Sequence, residues 1–253
     1  NYRYMVSVVA RYDGISKLSD NRWGFFPGIS LGWRLSEESF IKNHVTNIDN
    51  LKLRASWGQV GNDQIDAFQY LASYSFTNGY YLGLTSDQVK GVARGLSPNP
   101  NITWEVASTY NIGLDASFWN GLLGVTFDLF KQKRSNILTA RNASIPEYTG
   151  LKSPNENIGE VENKGFELEL SHFNKVHDWQ YSISGNVSFA RNKILDIDEA
   201  ANAQAWQMRT GHSMGTELYY DALGIYRTQE DIDNTPHPIG TKIVDLQYRD
   251  IND

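Results

Sequence analysis

Residues 105–138 read EVASTYNIGLDASFWNGLLGVTFDLFKQKRSNIL. From Val106 one face carries Val106, Ser108, Tyr110, Ile112, Leu114, Ala116 and Phe118, and the other carries Ala107, Thr109, Asn111, Gly113, Asp115 and Ser117. After Asn120-Gly121 the pattern resumes with Val125, Phe127 and Leu129 on one side. Thr126, Asp128, Gln132 and Arg134 lie mainly on the other, with Phe130 the exception. Strict period-two alternation marks strands with one apolar and one polar face. Asn-Gly supplies the positive φ angles of a type I′ hairpin turn. At roughly 15 residues each, these strands far exceed the length of about 5–6 usual in globular sheets.

The same alternation recurs at 3–13, 24–36, 51–60, 165–173 and 179–195, beside 103–119 and 122–138. Pro27, Ile29, Leu31, Trp33 and Leu35 oppose Gly28, Ser30, Gly32, Arg34 and Ser36. Connections sort by side: short at Asn120-Gly121 and 176–178, intermediate at 37–50, long at 14–22, 61–102, 139–161 and after 196. Short turns on one side and long loops on the other is the layout of outer-membrane barrels. Parity then requires 68–76 to pair inside its own loop, with 80–84 as the expected partner. Aromatics fall at strand ends: Tyr2, Tyr4, Trp33, Phe118, Trp119, Phe173 and Trp179 on the short-turn side, and Tyr12, Phe25, Phe26, Trp57, Trp104 and Phe189 on the other. Two such girdles are the interfacial belts of a membrane barrel.

Composition agrees. The chain has 253 residues, 40% hydrophobic and 13% aromatic, and no apolar run of the roughly 18 residues a transmembrane helix needs. That leaves β-strand spans open, because alternation hides their apolar half. A net charge of −6 without a basic stripe argues against a nucleic-acid partner. Cysteine is absent, in keeping with a place where stray thiols are a liability. The chain opens within a strand pattern at 2–13 with no signal peptide, and breaks off at Asp253. The expectation is an internal segment of a longer protein: barrel strands over 1–195, with 61–102 and 139–161 as long extracellular loops, and an extracellular loop region over 196–253 cut before the last strands.

Several motifs carry a family resemblance. They are Asn21-Arg22-Trp23-Gly24-Phe25-Phe26-Pro27 with Ser30-Leu31-Gly32-Trp33-Arg34, and the run from Leu51 through Trp57-Gly58-Gln59-Val60-Gly61-Asn62. Asn99-Pro100-Asn101-Ile102-Thr103-Trp104-Glu105, the run from Gly159 through Asn163-Lys164-Gly165-Phe166-Glu167, and Gly185-Asn186 with Asn192-Lys193-Ile194 complete the set. In this order they resemble SusC/RagA-like TonB-dependent outer-membrane transporters. The resemblance implies an all-β fold: part of an antiparallel transmembrane β-barrel of about 22 strands with a plugged lumen. It further implies active import of oligosaccharides or peptides across the bacterial outer membrane, a SusD-like surface lipoprotein as lid, and TonB acting through a plug outside this chain.

Chemical motifs weigh little beside this. Gly211-His212-Ser213-Met214-Gly215 matches the nucleophile-elbow pattern, which works only on a strand–turn–helix. No helical stripe follows it, so no catalytic residue is assigned and the chain is not read as an enzyme. The five histidines show no pairing at ligand spacing, and no metal site is assigned. Asp250 and Asn252 begin an oxygen-rich pattern that a Ca²⁺ loop would continue, and the chain stops before any later ligand could be counted. No cofactor is expected.

Loop residues able to stack on or bond to a solute are Asn62, Asp63, Tyr80, Tyr81 and Trp206. The polar strand faces place Arg54, Asn111, Asp115, Asp128, Arg134, Glu167, Glu169 and Asn186 toward a wet lumen. The rival readings are a passive porin sharing the barrel, and a soluble extracellular β-sandwich that binds glycans, whose apolar faces would be buried against a second sheet.

Overall fold

The computed structural model describes residues 3–81, 88–141, 148, 152–200 and 202–250. In chain order the elements are β1 (Tyr4–Gly14), β2 (Trp23–Arg34), α1 (Ser39–Lys42), β3 (Ile48–Asn62), β4 (Tyr74–Phe76), β5 (Tyr80–Tyr81), β6 (Gln88–Val89) and β7 (Val92–Arg94). There follow β8 (Glu105–Phe118), β9 (Leu123–Ala140), β10 (Asn155–Val176), β11 (Trp179–Asp196), β12 (Ala222–Ile225), α2 (Gln229–Asp233) and β13 (Leu246–Tyr248). The chain divides into two units, 1–214 and 215–253.

The first unit is built on one antiparallel seven-stranded sheet in the order β1-β2-β3-β8-β9-β10-β11. The strands follow one another in sequence, and the sheet ends in two open edges, β1 and β11, rather than closing on itself. The Asn-Gly hairpin forms as its residues require. Asn120 and Gly121 have φ of 56° and 82°, and Leu122 N–H donates to the Trp119 carbonyl at 3.3 Å. Gly121 N–H also donates to the Asp49 carboxylate at 2.9 Å, which ties this turn to the start of β3.

Register aligns the apolar residues into rows that cross the whole sheet. One row runs Val6, Leu31, Ala55, Ile112, Leu129, Phe166, Phe189, and the next Tyr4, Trp33, Leu53, Leu114, Phe127, Leu168, Val187. No second layer covers these rows in the described residues. Val6 is 67% exposed, Ile112 63% and Val187 53%. Aromatic pairs close both ends of the first hairpin: Tyr4 stacks with Trp33 at 6.3 Å, and Tyr12 with Trp23 at 5.1 Å. Eight residues separate Tyr4 from Tyr12, about 27 Å of extended chain, close to the height of a barrel's apolar band.

Two expected girdle members do not belong to the girdle. Phe26 (4% exposed) and Trp104 (8%) are buried, ring to ring at 5.4 Å, with Leu18 and Ile102. Pro27 explains this. It has no N–H to donate, and the β2–β3 ladder stops at the adjacent Gly28↔Gly58 pair. Phe26 fills the cleft where the two strands part. Its ring lies where a side-chain carbon on Gly61 or Gly24 would sit, 2.1 and 2.4 Å from those ideal positions, so both must be glycine.

Two further differences concern extent and pairing. β10 begins at Asn155 rather than near 165: the apolar residues of Asn155–Lys164 are only Ile158 and Val161, three apart and so out of the period of two that marks a strand. The connection after β9 is correspondingly shorter. Within the long loop, β4 pairs with β7 and β5 with β6, so the expected pairing of 68–76 with 80–84 is replaced by two nested ribbons. Alternation identifies a strand but does not choose its partner, and part of 80–84 lies outside the described residues.

The second unit is small: the β12–β13 ribbon and α2 gather around Tyr226 and Ile232, 1% and 2% exposed. Thr228 and Asp231 form a reciprocal capping box at the start of α2. Among all described residues, no helix is long and apolar enough to cross a membrane, which says nothing about crossing by strands.

Candidate solute-facing site

The face opposite the apolar rows collects the polar side chains. One row reads Gly32, Arg54, Gly113, Asp128, Glu167, Ser188, and its neighbour Arg34, Lys52, Asp115, Thr126, Glu169, Asn186. Arg54 is the hub. Its guanidinium grips Asp115 with Nε at 2.8 Å and Nη2 at 2.9 Å, and Nη2 also donates to Asp128 at 2.9 Å. A bidentate fork of this kind is the strong form of the arginine–carboxylate pair. Asp128, Glu167, Glu169 and Asn186 line one open depression of about 280 Å³ with Thr126 and Ser188. Two of its acids, Glu167 and Glu169, have no arginine or lysine within salt-bridge distance among the described residues. The depression therefore presents negative potential.

Of the expected lumen residues, Arg54, Asp115 and Asp128 thus form one network, and Glu167, Glu169 and Asn186 adjoin it. Asn111 lies between Ser56 and Phe130 in the next row on the same face. Arg134 sits higher, toward the long loops, where its Nε donates to Glu105 at 2.7 Å and its Nη2 contacts the same oxygen. Glu105 also accepts from the Asn62 amide at 3.3 Å.

Above this lies a lattice of amides. Asn157 donates to the carbonyls of Thr103 (3.0 Å) and Asn136 (2.7 Å) and accepts from Thr103 N–H at 2.9 Å. Asn155 donates to Gln69 at 2.7 Å, and Asn99 donates to the Asn155 carbonyl at 2.8 Å. The Asn99 side chain belongs to an Asx turn, accepting from Asn101 N–H at 3.0 Å across Pro100. Gln69, Asn155 and Asn157, with Lys17, Gln64, Asp66 and Glu105, line a cavity of about 300 Å³. Trp104 Nε1 donates to the Arg22 carbonyl at 3.3 Å, and Asn21 donates to that of Ile102 at 3.4 Å. The motif segments around 21–27, 57–62, 99–105 and 155–166 therefore converge at the loop-side ends of the strands. Sequence reading missed Gln69, Glu105, Asn155 and Asn157 as a group; the density of Asn at 99–101 and 155–157 is the available signal.

The loop candidates fall in three places. Asn62 and Asp63 border the amide lattice, but both are engaged in holding the loop: Asn62 accepts from Gln64 N–H at 3.1 Å, and the Asp63 carbonyl accepts from Lys17 at 3.3 Å. Tyr80 and Tyr81 stand side by side on the β5–β6 ribbon, each 71% exposed. Trp206, also exposed, lies in a turn after β11, with no ring contact to either tyrosine among the described residues.

Ser213 has a structural task. Its hydroxyl donates to the Asn192 carbonyl at 3.0 Å, Met214 N–H donates to the Asn192 side chain at 2.7 Å, and Ile194 and 211–212 exchange backbone hydrogen bonds at 2.8 Å. This segment clips onto the upper end of the β11 edge, and no helix follows it to make an oxyanion hole. Nearby, the backbone N–H groups of Thr210 and Arg209 hold the Glu199 carboxyl below its usual range. Among the described residues no group of three or more His, Cys, Asp or Glu side chains is gathered for a metal ion. Asn252 lies outside the described residues.

The comparisons with known proteins agree with this architecture. A family model described as TonB dependent receptor-like, beta-barrel, matches residues 1–248. TonB-dependent receptor P26 of Formosa agariphila is 32% identical over 91% of this chain. TonB-dependent receptor SusC of Bacteroides thetaiotaomicron is 31% identical over 96% of it. The chain spans about a quarter of these relatives, 24% and 25% of their lengths. Among solved structures, the RagAB peptide importer in its closed-closed state superposes with a TM-score of 0.71 at 21% identity, covering 88% of this chain and 24% of that one. That likeness is one of fold.

Proposed function

The chain belongs to the TonB-dependent receptor-like β-barrel family, and from that premise we propose that it is the strand-and-loop wall of an active importer in the bacterial outer membrane. The observation that carries this reading is the division of one sheet into two unlike faces. Apolar rows cross all seven strands uncovered, while the opposite face holds the Arg54 network and the acidic depression. A soluble protein rarely leaves so much contiguous apolar surface exposed. In a bilayer the same surface meets hydrocarbon, and the strand hydrogen bonds satisfy the backbone there.

In the whole protein the polar face lines the path of an oligosaccharide or peptide. The solute is captured at the loop side, where Asn62, Asp63, Tyr80, Tyr81 and Trp206 supply amides, a carboxylate and flat rings. A SusD-like lipoprotein covers that side, and TonB, acting on a plug outside this chain, opens the passage. The strand residues bind and steer; no bond in the solute is made or broken.

The test is uptake by cells carrying the full-length protein, with and without a functional TonB system. Loss of oligosaccharide or peptide uptake when TonB is removed, with the receptor still in the outer membrane, is the expected result. Unchanged uptake would identify a passive porin and overturn the active mechanism. Recovery of the full-length protein in the aqueous phase without detergent would overturn the membrane assignment itself.

A further inference from the structure

The apolar face is not uniformly apolar. Following one hydrogen-bonded row from β1 to β11 gives Val8, Ile29, Trp57, Tyr110, Lys131, Lys164, Arg191. The next row outward on the last strands gives Lys133, Glu162 and Lys193. A row perpendicular to tilted strands crosses a membrane obliquely. It begins in the apolar band on β1 and leaves it at Tyr110, and three cations follow on adjacent strands.

Like charges directly opposite one another across a sheet are destabilising, so three in succession call for compensation. The protein supplies only part of it. Glu162 reaches Lys131 at 2.8 Å and Lys164 at 3.9 Å, and Glu160 reaches Lys133 at 2.8 Å. The side chains of Arg191 and Lys193 make no hydrogen bond or salt bridge among the described residues. Five cations therefore face three carboxylates, Glu160, Glu162 and, opposite Glu160, Asp196, a local excess of positive charge on a protein whose net charge is −6.

Immediately below this row the same face is hollowed. A groove of about 490 Å³ is lined by Ile112, Leu129 and Phe189 among other apolar and aromatic residues, together with the cations Lys131, Lys164 and Arg191. Apolar below and cationic above is the complement of an amphiphile with acyl chains and a phosphate head. Long side chains at such a boundary lay their methylenes along the apolar surface and place the charge at headgroup level. Basic clusters at this level are a recognised means of binding anionic headgroups.

We propose that the β9–β11 face binds a phosphorylated, multiply acylated glycolipid of the lipid A class, with its acyl chains in the groove and a phosphate between Lys131, Lys164 and Arg191. The commitment to the outer leaflet follows from position. The cations lie on the half of the strands nearest 61–104 and 141–154, the long connections, which face outward in such barrels. The inference rests on the membrane reading given above and would fail with it.

The experiment uses the full-length protein, wild type and the triple variant Lys131→Gln, Lys164→Gln, Arg191→Gln, purified from outer membranes in mild detergent. Retained lipid is counted by native mass spectrometry after exchange against phosphorylated lipid A, dephosphorylated lipid A or phosphatidylglycerol. Wild type should retain phosphorylated lipid A at least tenfold better than the other two, and the triple variant should lose that preference. Equal retention of phosphatidylglycerol would reduce the site to a general anionic interface and overturn the proposal, as would undiminished lipid A retention by the triple variant. A second variant, Lys52→Gln on the opposite face, should retain lipid A as wild type does; a loss there equal to that of the triple variant would also overturn the assignment. Outer-membrane fractionation and heat-modifiable gel mobility of the wild type are read first. Their failure sinks the membrane reading, whereas normal fractionation without lipid A preference sinks only this inference.

Discussion

Arg54 and Asp128 form an ion pair at 2.9 Å although the strands that carry them, β3 and β9, are not neighbours. β8 lies between, and the residue it places opposite both is Gly113. A side-chain carbon there would come within 2.5 Å of Asp128 Oδ1 and 2.7 Å of Arg54 Cζ. The glycine is the gap through which the guanidinium passes.

Gly113→Ala should therefore act through Arg54. The added methyl displaces the guanidinium or Asp128 and separates two carboxylates from their shared cation. For these largely covered groups the expected loss is about 1–2 kcal/mol, the scale of a broken charge-assisted hydrogen bond. Urea unfolding of the full-length protein in micelles measures it. In an Arg54→Met background the same Gly113→Ala change should cost clearly less, and equal costs in both backgrounds would show that Gly113 serves the backbone alone.

The two faces of β10 predict opposite tolerances one residue apart. Leu168 pairs with Phe127 and Val187 in the middle of the apolar rows, whereas Glu167 pairs with Asp128 and Ser188 on the polar face. Leu168→Arg should destabilise the assembled barrel by about 2–4 kcal/mol, the depth-dependent penalty for arginine toward lipid. Glu167→Arg should be tolerated within about 1 kcal/mol, because it adds a cation beside Asp128 in a wet, acidic depression. Comparable losses at both positions would contradict the assignment of faces.

Most of the fold was legible because a strand with one apolar and one polar face repeats one physical demand over its full length. Ile112, Leu114, Phe127, Leu129, Phe166 and Leu168 announce their face by alternation alone, and Asn120-Gly121 fixes the hairpin by its φ angles. Legibility ends where that demand ends. Asn155–Lys164 is strand without alternation because its apolar residues, Ile158 and Val161, stand three apart across two shifts of register. Phe26 and Trp104 read as belt aromatics, yet they are buried because Pro27 interrupts a ladder, an effect that depends on the partner strand. Alternation alone assigns Arg54, Asp115 and Asp128 to the polar strand face. It does not give the geometry of their network, which rests on a three-strand register centred on a glycine. The amide lattice of Gln69, Asn99, Asn155 and Asn157 joins segments more than fifty residues apart and leaves no periodic trace.

Acid should loosen the short-turn end of the first hairpin. Glu38 accepts from Trp33 Nε1 at 3.1 Å and Tyr4 Oη at 2.8 Å, and these bonds, Trp33 first, hold its carboxyl below the usual carboxylate range. A depressed folded-state pKa gives stability that is complete above the unfolded value and is lost as pH falls through the folded value. The anchor should thus be intact at neutral pH and fail only below the ordinary glutamate range near 4.3. Trp33 emission in the full-length protein, taken as the difference from Trp33→Phe, should change in that window. In Glu38→Gln it should stay flat from pH 7 down to 3; a persisting transition would place the titrating group elsewhere.

Asn157 should act as a latch between the strands and the long loop. Its amide makes three hydrogen bonds to backbone groups of Thr103 and Asn136, and the chain there is irregular: Asn136 has φ of 57°, and the β9–β10 register shifts on either side of Gly159. Asn157→Leu removes the partners of the Thr103 N–H and carbonyl while preserving side-chain bulk. Each part-buried group left unpaired costs about 1–3 kcal/mol, and local opening is the cheapest way to rehydrate them. Hydrogen exchange over 99–104 should accelerate by roughly tenfold or more, following the factor of ten per 1.4 kcal/mol. Exchange over 109–116, in the middle of β8, should be unchanged. If both stretches accelerate together, the substitution has weakened the sheet rather than released the loop, and the latch assignment fails.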